Sequence, residues 1–551
     1  MLSFFATVPI FIAVLLYILP LRNLGKIIAM TMQAVIIYCS FRLLFIVKQG
    51  DIVSQIGNFE GTMGIILKAD TLSSVFITLA SVVFFVVALY SFSDDNKRSF
   101  WFFLLIWQGL LNGVFLTCDM FNTFVLIEVV TIVVSVMIMH NRDNRSMRDG
   151  MLYLMINTVA IQFFLFGIGY LYKLTGTLDF NAVADIVREL DRDTLLLPFA
   201  LIMTSVSLKC ALVPLFSWLP RAHGTPGAPS AVSAVLSGLH IKIGVYIFIR
   251  FQAVFQDVFL YEFFIVIGII TGIAGFVLAL VQTDIKLILA YSTISQIGML
   301  IIGLNLRDSY SYLGSIYHIV NHALFKSALF LCAGVISQVY GTRNINKIRG
   351  VFKRMPYVGT AMVMAILGIT GAPLFNGSVS KYFIMSNADT LMTVFFILIN
   401  LGTITVFIKY SAMLLGQKEK AAQSICENQS ADLVRAQDSR PENETAAVIC
   451  PMKQISIIFL GFVCLIGGMF GEQFIGFLFN VTVDINTGAY MQKTAIFAVS
   501  VIGGFLINRY VVGRAAILDR LRRKEIGFRG ICTMLGVYFA ALLISGRLML
   551  A

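Results

Sequence analysis

The chain has 551 residues, of which 58% are hydrophobic and only 13% charged, with a formal charge of +12. A soluble domain usually carries about 25% charged residues, so the composition excludes a large water-soluble enzyme. A mean hydropathy of +0.87 points instead to an all-α polytopic membrane protein.

At ~20 residues per spanning helix, apolar runs of sufficient length fall at sixteen places. The first eight lie near 2–20, 27–47, 63–92, 100–117, 120–140, 151–173, 194–217 and 229–250. The second eight lie near 260–281, 286–304, 311–337, 357–388, 391–415, 454–479, 493–511 and 528–547. The first run has no basic residue before it and is followed by Arg22 and Lys26, the pattern of an anchor rather than a cleaved signal. Asp179–Asp193 alternates apolar and charged residues at helical spacing and predicts a short surface helix. Residues 417–450, rich in Glu, Gln, Ser, Asn and Ala, read as a flexible polar loop. The expected organisation is three leading helices (1–99), two repeats (100–250 and 260–415), the polar loop (416–452) and C-terminal helices (453–551).

The charge is sided. Loops after odd-numbered spans, with their borders, hold 26 of the 41 Lys+Arg, and six more lie within spans: Arg42, Lys209, Lys242, Lys326, Lys381 and Lys409. The positive-inside rule then places both termini outside the cytoplasm of a bacterial or archaeal cell membrane. Two basic clusters, Arg343–Arg354 and Arg509–Arg529 (with Arg520, Arg522, Arg523 and Lys524), fit topology and anionic lipid headgroups, and nucleic acid is not an expected partner. Cys39, Cys118, Cys210, Cys332, Cys464 and Cys532 lie among apolar residues, and Cys426 and Cys450 in the polar stretch. They form no CxxC pair and no zinc-like spacing with histidine, so no metal, iron–sulfur cluster, haem or other cofactor is expected.

Charge at the bilayer centre costs at least ~2.5–3.5 kcal/mol on insertion scales and tends to mark ion paths. Glu128 lies midway along Met120–His140, Lys209 five residues before Pro214, and Lys242 within Leu236–Arg250. Lys381 follows the interrupted stretch around Gly371 and Pro373. Removal from water disfavours a charged lysine and a nearby carboxylate favours it, so a Glu/Lys pair able to separate can switch proton uptake and release. The competing assignment is a permanent structural ion pair. His318, His322 and Lys326 recur at i, i+4 and i+8 on one helix face, a file suited to relaying protons. Zinc at the two histidines is the rival, but it lacks a third ligand. His140 and His240 read as interfacial or packing groups, and Arg42 and Lys409 lie near span ends where they can snorkel.

Prolines interrupt two spans: Pro214 in Ser207–Phe216 and Pro373 in Gly371–Phe375, each within or beside a Pro-Leu-Phe. Such a break survives in a membrane only where protein or water satisfies the freed carbonyls. Their places in spans 7 and 12 predict two five-helix repeats, spans 4–8 and 9–13, the second inverted because five is odd.

Four segments carry a family resemblance: Trp218-Leu-Pro-Arg-Ala-His-Gly-Thr-Pro-Gly-Ala-Pro-Ser-Ala-Val-Ser-Ala234, Leu239–Tyr246, Asp284–Gly298 and Tyr317–Lys326. Over residues 60–415 the chain resembles the proton-conducting antiporter family. That family comprises the large membrane subunits of complex I, of energy-converting hydrogenases and of multisubunit Mrp sodium/proton antiporters. The resemblance implies a core of about fourteen helices, here with two extra at the C-terminus. It also implies Glu128 and Lys209 as a gating pair, Lys242 as the central lysine, His318, His322 and Lys326 as the lateral connection, and Lys381 at the exit. Ile127 stands where an aromatic is common, and the His223–Pro229 link is slightly long. Arg509–Arg529 is too short for the lateral helix of the largest complex I subunit. The Pro-Arg-Ala-His and Pro-Ser-Ala-Val-Ser wording is nearer Mrp D-type and hydrogenase-type members.

The function implied is proton translocation as a subunit of a larger complex, with H⁺ and Na⁺ as candidate ions and other membrane subunits as partners. Any redox energy would come from those partners, as in an NADH dehydrogenase- or hydrogenase-like translocase. The alternative is a self-sufficient secondary transporter exchanging Na⁺ or another solute for H⁺. A membrane-embedded transferase would need nucleophile or metal chemistry at the membrane surface, and His223 alone does not supply it.

Overall fold

The computed structural model describes residues 2–19, 22–56, 64–94, 97–225, 227–416, 449–512 and 526–550. Nearly all of the polar 417–450 stretch, Cys426 and the basic run Arg520–Lys524 lie outside the described residues. Helices α1 (Phe4–Ile18) and α2 (Arg22–Val47) lead into an antiparallel hairpin, β1 (Ile52–Ile56) and β2 (Ile65–Ala69), with Ile52 opposite Ala69. The span expected from residue 63 therefore begins later, at α3 (Thr71–Ser91). The reason lies in Asp70, whose carboxylate accepts from the Ser73 amide while the Ser73 hydroxyl accepts from the Asp70 amide. This capping box fixes the helix start, and Lys68 pairs with Asp51 (2.9 Å) across the hairpin.

The first repeat comprises α4 (Arg98–Leu116), α5 (Met120–Ile138), α6 (Asn144–Thr175), α7 (Phe180–Val187), α8 (Arg192–Lys209), α9 (Trp218–Gly224), α10 (Ser230–Val235) and α11 (Ile241–Val254). Helices α10 and α11 form one 25-residue rod through a π-helical turn at Leu236–His240. The second repeat comprises α12 (Tyr261–Val281), α13 (Ile285–Asn305), α14 (Ser309–Tyr340), α15 (Val351–Arg354), α16 (Pro356–Thr370), α17 (Asn376–Ile384) and α18 (Thr390–Ser411). Beyond it lie α19 (Pro451–Met469), α20 (Gly471–Phe479), α21 (Thr487–Ile507) and α22 (Phe528–Leu550). Among the described residues 13 helices are long and apolar enough to cross a membrane. The remaining expected spans are α1, with 15 residues, and the two interrupted ones, α8 with its following turns and α16 with α17.

The repeats match at a constant offset of 165 residues (284 minus 119), a signal stronger than the shared Pro-Leu-Phe. Asp119 and Asp284 cap α5 and α13, and Asp143 and Asp308 cap α6 and α14. Before the latter caps, Arg142 and Arg307 both adopt φ 55°. Helices α6 and α14 each run 32 residues and end at Gly176 and Gly341, with φ 69° and 63°. That left-handed conformation closes a helix and suits glycine. Backbone bonds Met120 N–Leu178 O and Phe180 N–Cys118 O recur as Ile285 N–Arg343 O and Ile345 N–Thr283 O. Five crossings separate the two copies, so they are inverted.

Helices α12 and α13 cross closely because Gly268 and Gly272 face Gly298, where an added Cβ would meet their backbone atoms. Gly298→Leu should cost about 1–3 kcal/mol by forcing this crossing apart and should lower the Tm of detergent-purified protein. Gly169→Leu, where a Cβ meets nothing within 4 Å, is the control. Equal Tm values for the two variants would contradict the packing account.

Candidate functional site

In the first repeat, Lys209 ends α8 immediately before the break. The broken backbone is held by neighbours: the Val213 amide donates to Thr271 Oγ1 (3.0 Å), and Trp218 Nε1 donates to the Leu208 carbonyl (2.8 Å). Lys209, 6% exposed, donates through Nζ to Thr131 Oγ1 (3.0 Å) and Asn157 Oδ1 (2.9 Å). Glu128, one turn before Thr131 on α5, accepts from Thr158 Oγ1 (3.3 Å). The Glu128 carboxylate and the Lys209 ammonium are thus held by different polar side chains, Thr158 for the first and Thr131 with Asn157 for the second. Asn157 also donates to the Tyr153 carbonyl (2.9 Å), and Tyr153 Oη bonds His240 Nε2 (2.8 Å). His240, which reads from the sequence as a packing group, thus joins the polar row.

At the centre, Lys242 is wholly buried. Its ammonium donates to the Ser237 carbonyl (2.5 Å), which sits in the π-helical turn, and meets His322 Nδ1 at 2.6 Å. A hydrogen bond between two nitrogens uses one proton, so whichever group holds it, the other must present a lone pair. The His322 and His318 rings are 6.3 Å apart between centroids. His318 Nδ1 bonds Ser380 Oγ (2.8 Å) and its Nε2 meets Gln296 Oε1 (3.1 Å). Lys326 is placed differently: its ammonium donates to Leu289 O (2.9 Å) and Ser292 Oγ (2.5 Å) on α13, over the Phe407 ring.

In the second repeat the break runs from Gly371 to Phe375, through Pro373, with Leu374 at φ 70°. Lys381 Nζ donates to Ile369 O at the end of α16 (2.6 Å) and to Asn400 Oδ1 on α18 (2.7 Å). Asn321 and Asn376 bond one another and tie α17 to α14. Lys209 precedes its break and Lys381 follows its own, so the lysines depart from the repeat symmetry that the caps obey.

The structure thus brings Lys242, His322, His318 and the turn bearing Lys381 together across the two repeats, sets Glu128 and Lys209 beyond Tyr153 and His240, and leaves Lys326 to the side. Thr131, Tyr153, Asn157, Gln296, Ser380 and Asn400 do not stand out in the sequence. Their signal is a polar residue inside an apolar helical run, which single-sequence reading does not separate from ordinary packing. Lys286, buried at the start of α13, is another that the sequence does not mark; it donates to Ala228 O (2.8 Å) beside the Asp284–Arg343 pair (2.9 Å). Among the described residues no three His, Cys, Asp or Glu side chains gather as a metal set.

Inverted five-helix repeats, each broken beside a buried lysine, define the architecture of antiporter-like membrane subunits. Residues 117–408 match the family described as NADH:quinone oxidoreductase/Mrp antiporter, TM, and the chain belongs to that family of multi-pass membrane proteins. It is 33% identical over 343 residues to the D-type subunit of the Na(+)/H(+) antiporter of Alkalihalophilus pseudofirmus, covering 61% of this chain and 69% of that one. With its namesake from Bacillus subtilis it shares 29% over 339 residues, 60% of this chain and 68% of the other. A chain in the Mrp complex of Dietzia sp. DQ12-45-1b has the same fold, with a TM-score of 0.76, 23% identity and coverage of 91% and 99%. An archaeal membrane-bound sulfane sulfur reductase contains another, with a TM-score of 0.76, 20% identity and the same coverage.

Asn157→Leu leaves the buried Lys209 ammonium with a single hydroxyl partner. A loss of about 1–3 kcal/mol is expected, read as a lower Tm of the purified protein. Asn157→Leu combined with Lys209→Met should recover much of that loss, and no recovery would show that Asn157 acts through packing instead.

Proposed function

We propose that this chain is a proton-translocating, antiporter-like subunit of a multisubunit membrane complex of the Mrp or hydrogenase/complex I-like kind, working with other membrane subunits. The observation that carries the reading is the Lys242–His322 contact at 2.6 Å, which joins the two repeats through groups that exchange protons. Glu128 and Lys209 gate uptake, with Thr131 and Asn157 holding the ammonium while the carboxylate is apart. Lys242, His322 and His318 pass the proton laterally, Lys326 biases the central lysine by its charge, and Lys381 releases it. The relatives named as Na(+)/H(+) antiporter components make Na⁺ the exchanged cation to test first. The bias of basic residues toward loops after odd-numbered spans supports a cell membrane with both termini outside the cytoplasm. On that orientation the Asp284–Arg343 face is cytoplasmic and Lys381 lies toward the outer half.

The test uses everted vesicles carrying the whole complex in a host without its own antiporters, with Na⁺-dependent dissipation of a pH gradient as readout. Glu128→Ala, Lys209→Ala and Lys242→Ala should each slow it at least about a hundredfold, the lower end for losing a positioned proton-transfer group. Unchanged rates in all three would refute the reading. The purified chain alone in liposomes should show no robust Na⁺ uptake, and uptake without partners would favour a self-sufficient transporter.

A further inference from the structure

The helix beyond the repeats carries a lysine into the cavity of Lys381. A cavity of about 50 Å³ between α17, α18 and α21 is lined by Lys381, Asn400 and Ser378 of the repeat and by Lys493 and Thr494 of α21. Helix α21 is fastened over α17 by polar contacts: Tyr490 Oη to Ser378 Oγ (2.8 Å), the Asn486 amide to Tyr382 Oη (3.1 Å), and Lys493 Nζ to the Tyr382 carbonyl (2.8 Å). Lys493 also stands 4.6 Å over the Tyr382 ring centre. Tyr382 is the residue after Lys381, so the Lys493 ammonium is anchored to the backbone of the turn that bears the exit lysine. Lys493 lies in the second turn of α21, and α17 ends three residues after Lys381. Both lysines are therefore near the same end of the bundle, with Lys493 reached from the chain segment that enters the membrane there. A lysine this near a span end can snorkel to the interface, but here the ammonium turns instead onto the backbone of α17.

We infer that Lys493 is the last proton carrier on the release side, taking the proton from Lys381 and passing it to bulk water. The step is an acid–base transfer: an N–H bond at the Lys381 ammonium breaks, an N–H bond forms at the neutral Lys493 amine, and water in the cavity bridges them. No electron moves. The titratable groups facing Lys493 are Lys381 and the phenols Tyr382 and Tyr490. Two ammonium groups in one small cavity repel, so a proton arriving at Lys381 favours departure of the one on Lys493. This inference rests on the proton-path reading above.

The experiment measures Na⁺-dependent pH-gradient dissipation in everted vesicles carrying the assembled complex, with assembly scored on native gels. Lys493→Arg keeps the charge and the bond to Tyr382 O but holds its proton at all working pH values. Lys493→His can titrate. Both Lys493→Met and Lys493→Arg should lower the rate at least about a hundredfold, whereas Lys493→His should retain about a third or more of it. Full rate in Lys493→Arg overturns the proposal and makes Lys493 a structural clip, and full rate in Lys493→Met overturns it outright. Should Lys493→Met fail to assemble, the Arg and His variants decide alone. Lys242→Ala and Lys381→Ala run alongside: their loss of activity with full rate in Lys493→Arg defeats only this inference, while their full rate defeats the path itself.

Discussion

Four ammonium groups, those of Lys209, Lys242, Lys326 and Lys381, are held inside the helix bundle by neutral oxygens rather than carboxylates. That constraint accounts for much of the irregular backbone. An α-helix spends its carbonyls on its own amides, so it has few to offer a buried cation. Where the helix is interrupted, carbonyls become available. Lys242 uses Ser237 in the π-helical turn, and Lys381 uses Ile369 in the last turn of α16 before its break. Interruptions that look like defects in a membrane helix serve here as solvation for charge.

The inverted repeat supplies the frame on which this asymmetry is built. Capping aspartates, left-handed Arg and Gly residues and backbone bridges recur at one offset, because they close helix ends in loops where each copy faces the same geometric problem. The interior residues do not recur in the same way. Glu128 is matched by Thr293, Asn157 by His322, and the two break lysines fall on opposite sides of their breaks. A symmetric scaffold thus carries an asymmetric polar row, and the asymmetry distinguishes the end with Glu128 from the end with Lys381.

Much of this architecture was legible in the sequence. The spans follow from apolar length, the broken helices from Pro214 and Pro373, and the buried lysines from their placement within those runs. The hairpin at Ile52–Ala69 was hidden because Ile65–Leu67 continues the apolar run of α3, and only the Asp70 cap separates them. The π-helical turn at Leu236–His240 leaves no compositional trace. Lys326 shares a helix face with His318 by spacing, but at roughly 40° of drift per four residues it stands roughly 80° round the helix. It therefore reaches α13 instead of His322.

The π-helical turn has a consequence for how such chains can vary. It holds about one more residue per turn than the α-helix around it, so it absorbs an extra residue while keeping the two halves of the rod nearly in phase. Tightening Leu236–His240 to regular α-helix at unchanged length would swing Lys242 by one residue's rotation, about 100°. Every chemical group along the row would still be present, yet the lysine would turn away from His322. Connection between the repeats is in this sense held by the backbone conformation of a single turn, and a comparison of side chains alone would not register its loss.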